Sequence, residues 1–327
     1  MLEHNFIVEE LKTRLDKYLA KQLPEISRSQ IQRDIEGGQV DVNGAIITQS
    51  KFVVRLGDGI KYQVASSKNQ GALKAANIPL KVLYHDHGLL IIDKPAGLTV
   101  HPGAGFKGET LASALLYNFK DIHLVGEEHR PGIVHRLDKD TSGVILVATT
   151  PEMYVHLKDA FAERKIKKEY LALVLGKIEK QHGFIETPLG KSKTDFRKQT
   201  ASDAVEAKEA ITEYKVLEYL PRAGQPISQS ANQSSRVDIY TLIKVKLHTG
   251  RTHQIRVHLS SIGHPLMGDE LYGGKRVKLA GLTRQFLHAK KIEVRLPGGT
   301  WIEAESELPR DLEKVLENLG SKIVQQL

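Results

Sequence analysis

The spacing of apolar and polar positions divides the chain before any motif is considered. Leu11, Leu15, Tyr18 and Leu19 fall on one helical stripe; Ile31 and Ile35 fall on another that stops at Gly37-Gly38. Thr13 with Asp16, and Ser27 with Gln30, have the spacing of helix-opening capping boxes. Val40-Asp41-Val42 then alternates into Asn43-Gly44, a strong hairpin signal, and Gly57-Asp58-Gly59 marks a turn before Ile60 to Val64. The pattern predicts a small α-α-β-β-β unit over residues 1–64.

Residues 65–78 are mostly Ser, Lys, Gln, Asn, Gly and Ala with little to bury, the composition of a linker. Beyond it lie short apolar runs at Val82–Tyr84, Leu89–Asp93, Val144–Ala148, Tyr170–Leu175, Thr241–Leu247 and Ile292–Leu296. Helical stretches fall near 108–118 and 151–164, and no regular strand-helix-strand alternation links them. The fold class is therefore α+β, with a mixed, mainly antiparallel sheet and flanking helices over 79–327. Residues 221–236, a Pro-Arg-Ala-Gly-Gln-Pro segment followed by Ser, Gln and Asn, read as a disordered surface insertion.

Composition narrows the function classes. The 327 residues exceed one average domain, and 40% hydrophobic content suffices for a sizeable core. Lys and Arg number 47 against 39 Asp and Glu, a net charge of +8, so the surface should attract polyanions. Residues 12–64 hold nine basic and six acidic side chains, too small an excess to argue RNA binding by charge alone. The absence of cysteine excludes disulfides, thiolate catalysis and Cys-ligated zinc. No leader-like apolar segment opens the chain and no run approaches the ~18 apolar residues of a membrane span, so a cytoplasmic protein is expected.

Candidate chemistry concentrates in His135-Arg136-Leu137-Asp138-Lys139-Asp140-Thr141-Ser142-Gly143, which feeds straight into the apolar run Val144–Ala148. A turn-forming segment ahead of a buried strand holds Asp138 at the mouth of a core, either as a turn cap or as a reactive carboxylate. The string resembles the signature of the RluA/RluD-type pseudouridine synthases, in which this Asp is catalytic. Further strings stand in that family's order: Asp93–Gly103, Lys168–Val174, Thr249–Leu259, Gly268–Gly273 and Arg284–Ala289. The resemblance implies a two-lobed sheet with the active cleft between lobes and isomerisation of uridine to pseudouridine. Residues 1–64 resemble the S4 RNA-binding domain that precedes many of these synthases. Together they point to a large-subunit (23S-type) ribosomal RNA stem-loop or pre-ribosomal particle as partner, acted on by a monomer.

The isomerisation adds and removes nothing, so no cofactor or metal is expected. Asp138 must stay ionised in a pocket dry enough to bind a base, which requires a cation beside it. The resemblance places Arg256 there; its alternative is a phosphate contact on a strand surface. Tyr170 would stack on a flipped uracil or move a proton, or else sit in the core. Arg136, two residues before Asp138 and read as sharing a strand face with it, resembles the family residue that enters the space a flipped base leaves. Lys168 and Arg251 in the quoted strings, and Arg28 and Arg33 on the predicted N-terminal helices, complete the expected RNA contacts. His248, His253, His258 and His264 recur in steps that suit neither helix nor strand ligation, so they are not read as a metal site. Two rival functions stay open: a non-catalytic RNA-binding or assembly protein, and glycosidic hydrolysis by an Asp138–Asp140 pair on one strand face.

Overall fold

Most strands form here where β-branched and aliphatic residues run together, and most helices where apolar residues return every three or four positions. In the computed structural model the chain divides into two units, residues 1–72 and 73–327. The structure describes residues 2–23, 26, 28–64, 73–102, 108–193, 195, 198–201, 205–221, 239–273 and 277–327.

The first unit runs β1 (Leu2–Ile7), β2 (Lys12–Arg14), α1 (Leu15–Gln22), α2 (Arg28–Glu36), β3 (Val40–Val42), β4 (Ala45–Ile46), β5 (Val53–Arg55) and β6 (Gly59–Val64). Two strands thus precede the helices, correcting the expected α-α-β-β-β order. Strand β1 pairs antiparallel with β6, giving a β1-β6-β3-β4 sheet, while β2 pairs with β5. Its sequence, LEHNFI, is half polar, and its partner lies over fifty residues away, so no local pattern announces it. Thr13 sits inside β2, and α1 is capped by the backbone of Arg14 with no side-chain bond, so the Thr13–Asp16 capping box does not form. Ser27 of the second box lies outside the described residues. Leu15, Tyr18 and Leu19 pack with Ile31, Ile35, Val54 and Tyr62, but Leu11, expected on the same stripe, is 84% exposed. Asn43 and Gly44 take positive φ of 54° and 85°, as a two-residue hairpin turn requires.

The second unit begins with β7 (Lys81–Asp86), β8 (Leu89–Lys94), α3 (Leu111–Asn118), β9 (Gly126–Glu127), β10 (Arg130–Pro131), β11 (Ser142–Ala148) and α4 (Pro151–Ala162). It continues through β12 (Lys167–Leu175), β13 (His182–Ile185), β14 (Leu189–Lys191), β15 (Gln199–Thr200), β16 (Val205–Lys208), β17 (Thr212–Pro221) and β18 (Ile239–Leu247). Then follow α5 (Gln254–Ser261), α6 (Glu270–Gly273), β19 (Leu287–Arg295), β20 (Trp301–Glu305) and α7 (Arg310–Asn318). Thr110 and Thr150 cap α3 and α4 by accepting from the backbone N–H three residues on. Residues 73–78, assigned to linker by composition, lie against α3: the Ala76 N–H donates to Ser113 O at 3.0 Å, and Asn118 Nδ2 to Ile78 O at 3.3 Å. Of the expected surface insertion, Pro221 ends β17 and residues 222–236 lie outside the described residues.

The main sheet has nine strands in the order β13-β17-β18-β12-β19-β11-β8-β7, with β20 on β19. Its pairs are antiparallel except β11 with β19. Every residue of β11 is buried, which is why it reads as continuous apolar sequence instead of alternating; each fully buried aliphatic side chain there contributes about 1.5–3 kcal/mol. The parallel contact is tight at Gly143, where φ is 112° and a Cβ would stand 2.1 Å from Ala289 O. Glycine is the residue that meets both conditions, and it fixes where the Asp138 segment enters the sheet.

Candidate active site

The segment that carries Asp138 is an irregular crossing held at both ends by side chains from other quoted strings. On one side Lys94, fully buried, donates through Nζ to Pro95 O, Leu98 O and Lys139 O at 2.7, 2.9 and 3.0 Å. On the other, Arg284 grips Asp311 with two bonds and donates to Asp140 O and Ser142 Oγ. Gln285 Nε2 donates to Thr141 Oγ1, and Ser142 Oγ bonds His288 Nδ1 at 3.0 Å. The turn closes on itself through Thr141 N–H to Asp138 O at 3.1 Å. Arg136 is therefore not on a strand face with Asp138, and Asp138 and Asp140 do not share one: the strand starts at Ser142, and the preceding residues form a turn. The turn is Lys139-Asp140, closed by that Thr141 bond, and it delays the strand to Ser142; Ser142 and Gly143, expected in the turn, lie inside β11.

Asp138 opens into a cleft of about 510 Å³ that Arg136, Lys168, Tyr170, Arg251 and Arg256 also line. Arg256 belongs to α5, not to a strand surface, and its helix is positioned by Gln254. That side chain donates to Ile211 O and Thr212 Oγ1 and accepts from Thr249 Oγ1 and the Arg251 N–H. The Arg256 fork is divided. Nε and Nη2 bind both oxygens of Asp269 at 2.7 and 2.9 Å, leaving Nη1 to reach Asp138 Oδ2 at 3.1 Å. Burial works against the cation, but the bonds and charge of Asp269, then of Asp138, hold its pKa above the ordinary value. The guanidinium also lies 5.2 Å from the centre of the Tyr272 ring.

Tyr170 stands on β12 at a register shift next to Glu169 and is 6% exposed. Burial, and secondarily the Asp138 charge, push its phenol up, so it is a neutral hydroxyl against the cleft. Lys168 Nζ rests 5.4 Å from the centre of the Phe161 ring, and burial pulls its ammonium down to about 8. Arg136 is exposed at the cleft and Arg251 donates through Nε to Glu209 O. Arg28 and Arg33 are on α2 of the first unit. Arg28 donates twice to Asp16, whereas Arg33 is exposed and donates to Gln30 Oε1.

The four histidines each bond a protein group: His248 to Glu213, His253 to Tyr272, His258 to Thr212 and Thr187 O, His264 to Leu175 O. Three residues that matter were not singled out as site residues by sequence: Asp269, Tyr272 and His253. The signal for the first was available, because a buried guanidinium carries five donors that one carboxylate cannot satisfy, and Gly268-Asp269-Glu270-Leu271-Tyr272-Gly273 supplies the second.

The sequence model of the family described as RNA pseudouridylate synthase matches residues 88–261, and that of the S4 domain matches residues 13–60. A protein of Nitrosomonas europaea named ribosomal large subunit pseudouridine synthase D is 41% identical over 93% of this chain and 83% of its own. The Pseudomonas aeruginosa protein of the same name is 39% identical over 91% of this chain and 89% of its own. Among solved structures, human RNA pseudouridylate synthase domain containing 1 superposes with a TM-score of 0.54 at 25% identity, covering 76% of this chain and 97% of that one. With the family's strings assembled around one carboxylate and the matches spanning nearly the whole sequence, the chain belongs to the RNA pseudouridylate synthases, enzymes that isomerise uridine in RNA, and carries an S4 domain ahead of the catalytic part.

Proposed function

We propose that the chain converts specific uridines of large-subunit ribosomal RNA to pseudouridine in the cytoplasm, taking the target base out of its stack and into the cleft, with Asp138 as the reacting group. One observation carries this: Asp138 stands in a nucleotide-sized cleft with one oxygen held by Arg256 and the other, Oδ1, free of hydrogen bonds among the described residues. The names of the bacterial relatives support a ribosomal substrate.

The reaction breaks the C1′–N1 bond, turns the uracil and joins C1′ to C5, and the C5 proton is finally replaced by one on N1. A carboxylate assists by attack at C1′ or at C6. Arg256 keeps its charge in place, because its own orientation is locked by Asp269 and does not depend on substrate. The Tyr170 ring offers a surface for the base, Arg136 fills the gap the base leaves, and Lys168 and Arg251 bind the phosphate backbone. On the first unit Arg33 is the freer RNA contact, since Arg28 is engaged by Asp16. The protein acts as a monomer.

The test is a transcript labelled in its uridines, incubated with wild type and Asp138→Asn. Wild type should give rearranged nucleoside and the variant none. Free uracil would indicate hydrolysis, and an unchanged transcript that still binds would indicate a binding protein.

A further inference from the structure

His253 stands at the free side of Asp138 in a conformation that its neighbours impose. It precedes α5 with φ of 55°, a left-handed backbone that glycine would adopt without a side-chain clash. Its Nδ1 bonds the Tyr272 hydroxyl at 2.9 Å, and the rings meet edge to face with centres 5.7 Å apart. The Tyr272 oxygen accepts from the Gln199 N–H at 3.0 Å, and among the described residues Nδ1 is the acceptor within reach of the phenol's own proton; that pairing satisfies both groups and places the imidazole proton on Nε2. Burial pushes the Tyr272 phenol up and the His253 ring down, so both stay neutral near pH 7. Around the ring lie Asp138 and Arg136 from the irregular segment before β11, Arg256 from α5, and Asp269 from the loop before α6. Nε2 stands 3.9 Å from Asp138 Oδ1, too far for a hydrogen bond between them, with its N–H available to the cleft they share.

We infer that this Nε2–H is the donor that takes the O2 carbonyl of the target uracil, a role that rests on the proposed uridine isomerisation. The reacting carbon must approach Oδ1 to about 3–3.5 Å, and O2 lies three bonds from C1′ and three from C6, the two atoms at which Asp138 could act. O4 is three bonds from C6 but five from C1′. When the C1′–N1 bond breaks, its electron pair enters the ring and spreads over N1 and the carbonyls. A fixed donor at O2 stabilises that charge as it develops. His253 gives a hydrogen bond and no proton; the proton balance is the one stated above. Tyr272 and, through it, Asp269 act on the reaction by positioning: the Tyr272 N–H donates to Asp269 Oδ1 at 3.3 Å, and the same carboxylate locks Arg256.

The test uses the RNA in which the wild-type product has been mapped, synthesised with uridine or with 2-thiouridine at that one position, and single-turnover rates at saturating RNA. Sulfur is a poor acceptor, so wild type should lose about 100-fold on the thio substrate, the usual consequence of removing one such bond. His253→Phe should lose a similar factor on uridine and almost nothing further on 2-thiouridine, with RNA affinity little changed. His253→Gln, which keeps an N–H within reach, should recover to within about tenfold of wild type. Equal wild-type rates on the two substrates would overturn the inference without any variant, and so would losses that multiply in His253→Phe. A wild type that makes no pseudouridine at all would instead overturn the parent reading and this one with it.

Discussion

Two aspartates, one in each unit, are gripped by arginine to opposite effect. Asp16 in the first unit is fully buried and takes Arg14, Arg28 and Gln32, with Oδ2 alone accepting from three side chains. Asp138 in the second unit keeps 16% of its side chain exposed and takes one bond from Arg256, on one oxygen. The donor count explains the difference in role. A carboxylate whose lone pairs are spent is a fastener; one that is steadied by a single arm, while the rest of the fork is spent on Asp269, keeps an oxygen for chemistry.

The sharpest way to break this contrast is to remove each carboxylate's charge in turn. Asp138→Asn should abolish pseudouridine formation, by at least about a thousandfold in single-turnover rate, while thermal unfolding and RNA affinity stay near wild type. Asp16→Asn should do the reverse, loosening residues 1–72 by about 2 kcal/mol and leaving the single-turnover rate alone. Hydrogen exchange resolved by segment reads the second effect. Any rate defect in Asp16→Asn that saturating RNA does not repair would dissolve the comparison.

Arg256 tests the divided fork. Arg256→Met strips both Asp138 and Asp269, and because Asp269 is left buried without a cation the protein should lose about 3–5 kcal/mol of stability. Its rate should fall about 100-fold or more and not return with RNA concentration. Adding Asp269→Asn should restore part of the stability and none of the rate, which separates the structural half of the fork from the reactive half.

Lys168 gives a smaller, pH-dependent effect. Its ammonium is held down to about 8 by burial, so it is charged below that pH and neutral above it. RNA affinity should weaken several-fold as pH rises through 8, and the slope of log affinity against log salt should lose about one unit. Lys168→Arg should remove the pH step, since arginine stays charged throughout.

The smallest expected change comes from the first unit. Arg33→Gln should flatten the salt slope by about one unit without touching stability, whereas Arg28→Gln should act mainly on the stability of residues 1–72, because its fork already serves Asp16. Equal behaviour of the two would mean that Arg28 is released to RNA in the complex.

What the sequence made legible was local. The apolar run Val144–Ala148, the Asn43-Gly44 turn and the helices at 111–118 and 151–162 are each set by neighbours in the chain. Strand β1 escaped because its pairing partner is remote, and α5 because Gln254, Arg256 and His258 give the helix buried polar positions in place of an apolar stripe. Asp138 and Arg256 were found through resemblance, not through periodicity, and their contact is a fact of tertiary structure. Asp269, Tyr272 and His253 were missed for a related reason. A carboxylate that serves an arginine, and a tyrosine that orients a histidine, carry no periodic signature; a count of donors against acceptors exposes them, for Asp269 already in the sequence and for Tyr272 and His253 only in the finished site.

The parallel seam between β11 and β19 also sets the order in which the enzyme can come into being. Ser142 and His288, which meet across it, are 146 positions apart, and Asp138 waits for Arg256 across 118. A chain emerging from the ribosome can assemble β7, β8 and β11, whose contacts are close in sequence, long before β19 and α5 have been synthesised. The turn that bears Asp138 then has Lys94 on one side and nothing yet on the other. Competence is thus withheld from translation products that end before α5 and β19: until both have been made and have docked, Asp138 is without Arg256 and Ser142 without His288.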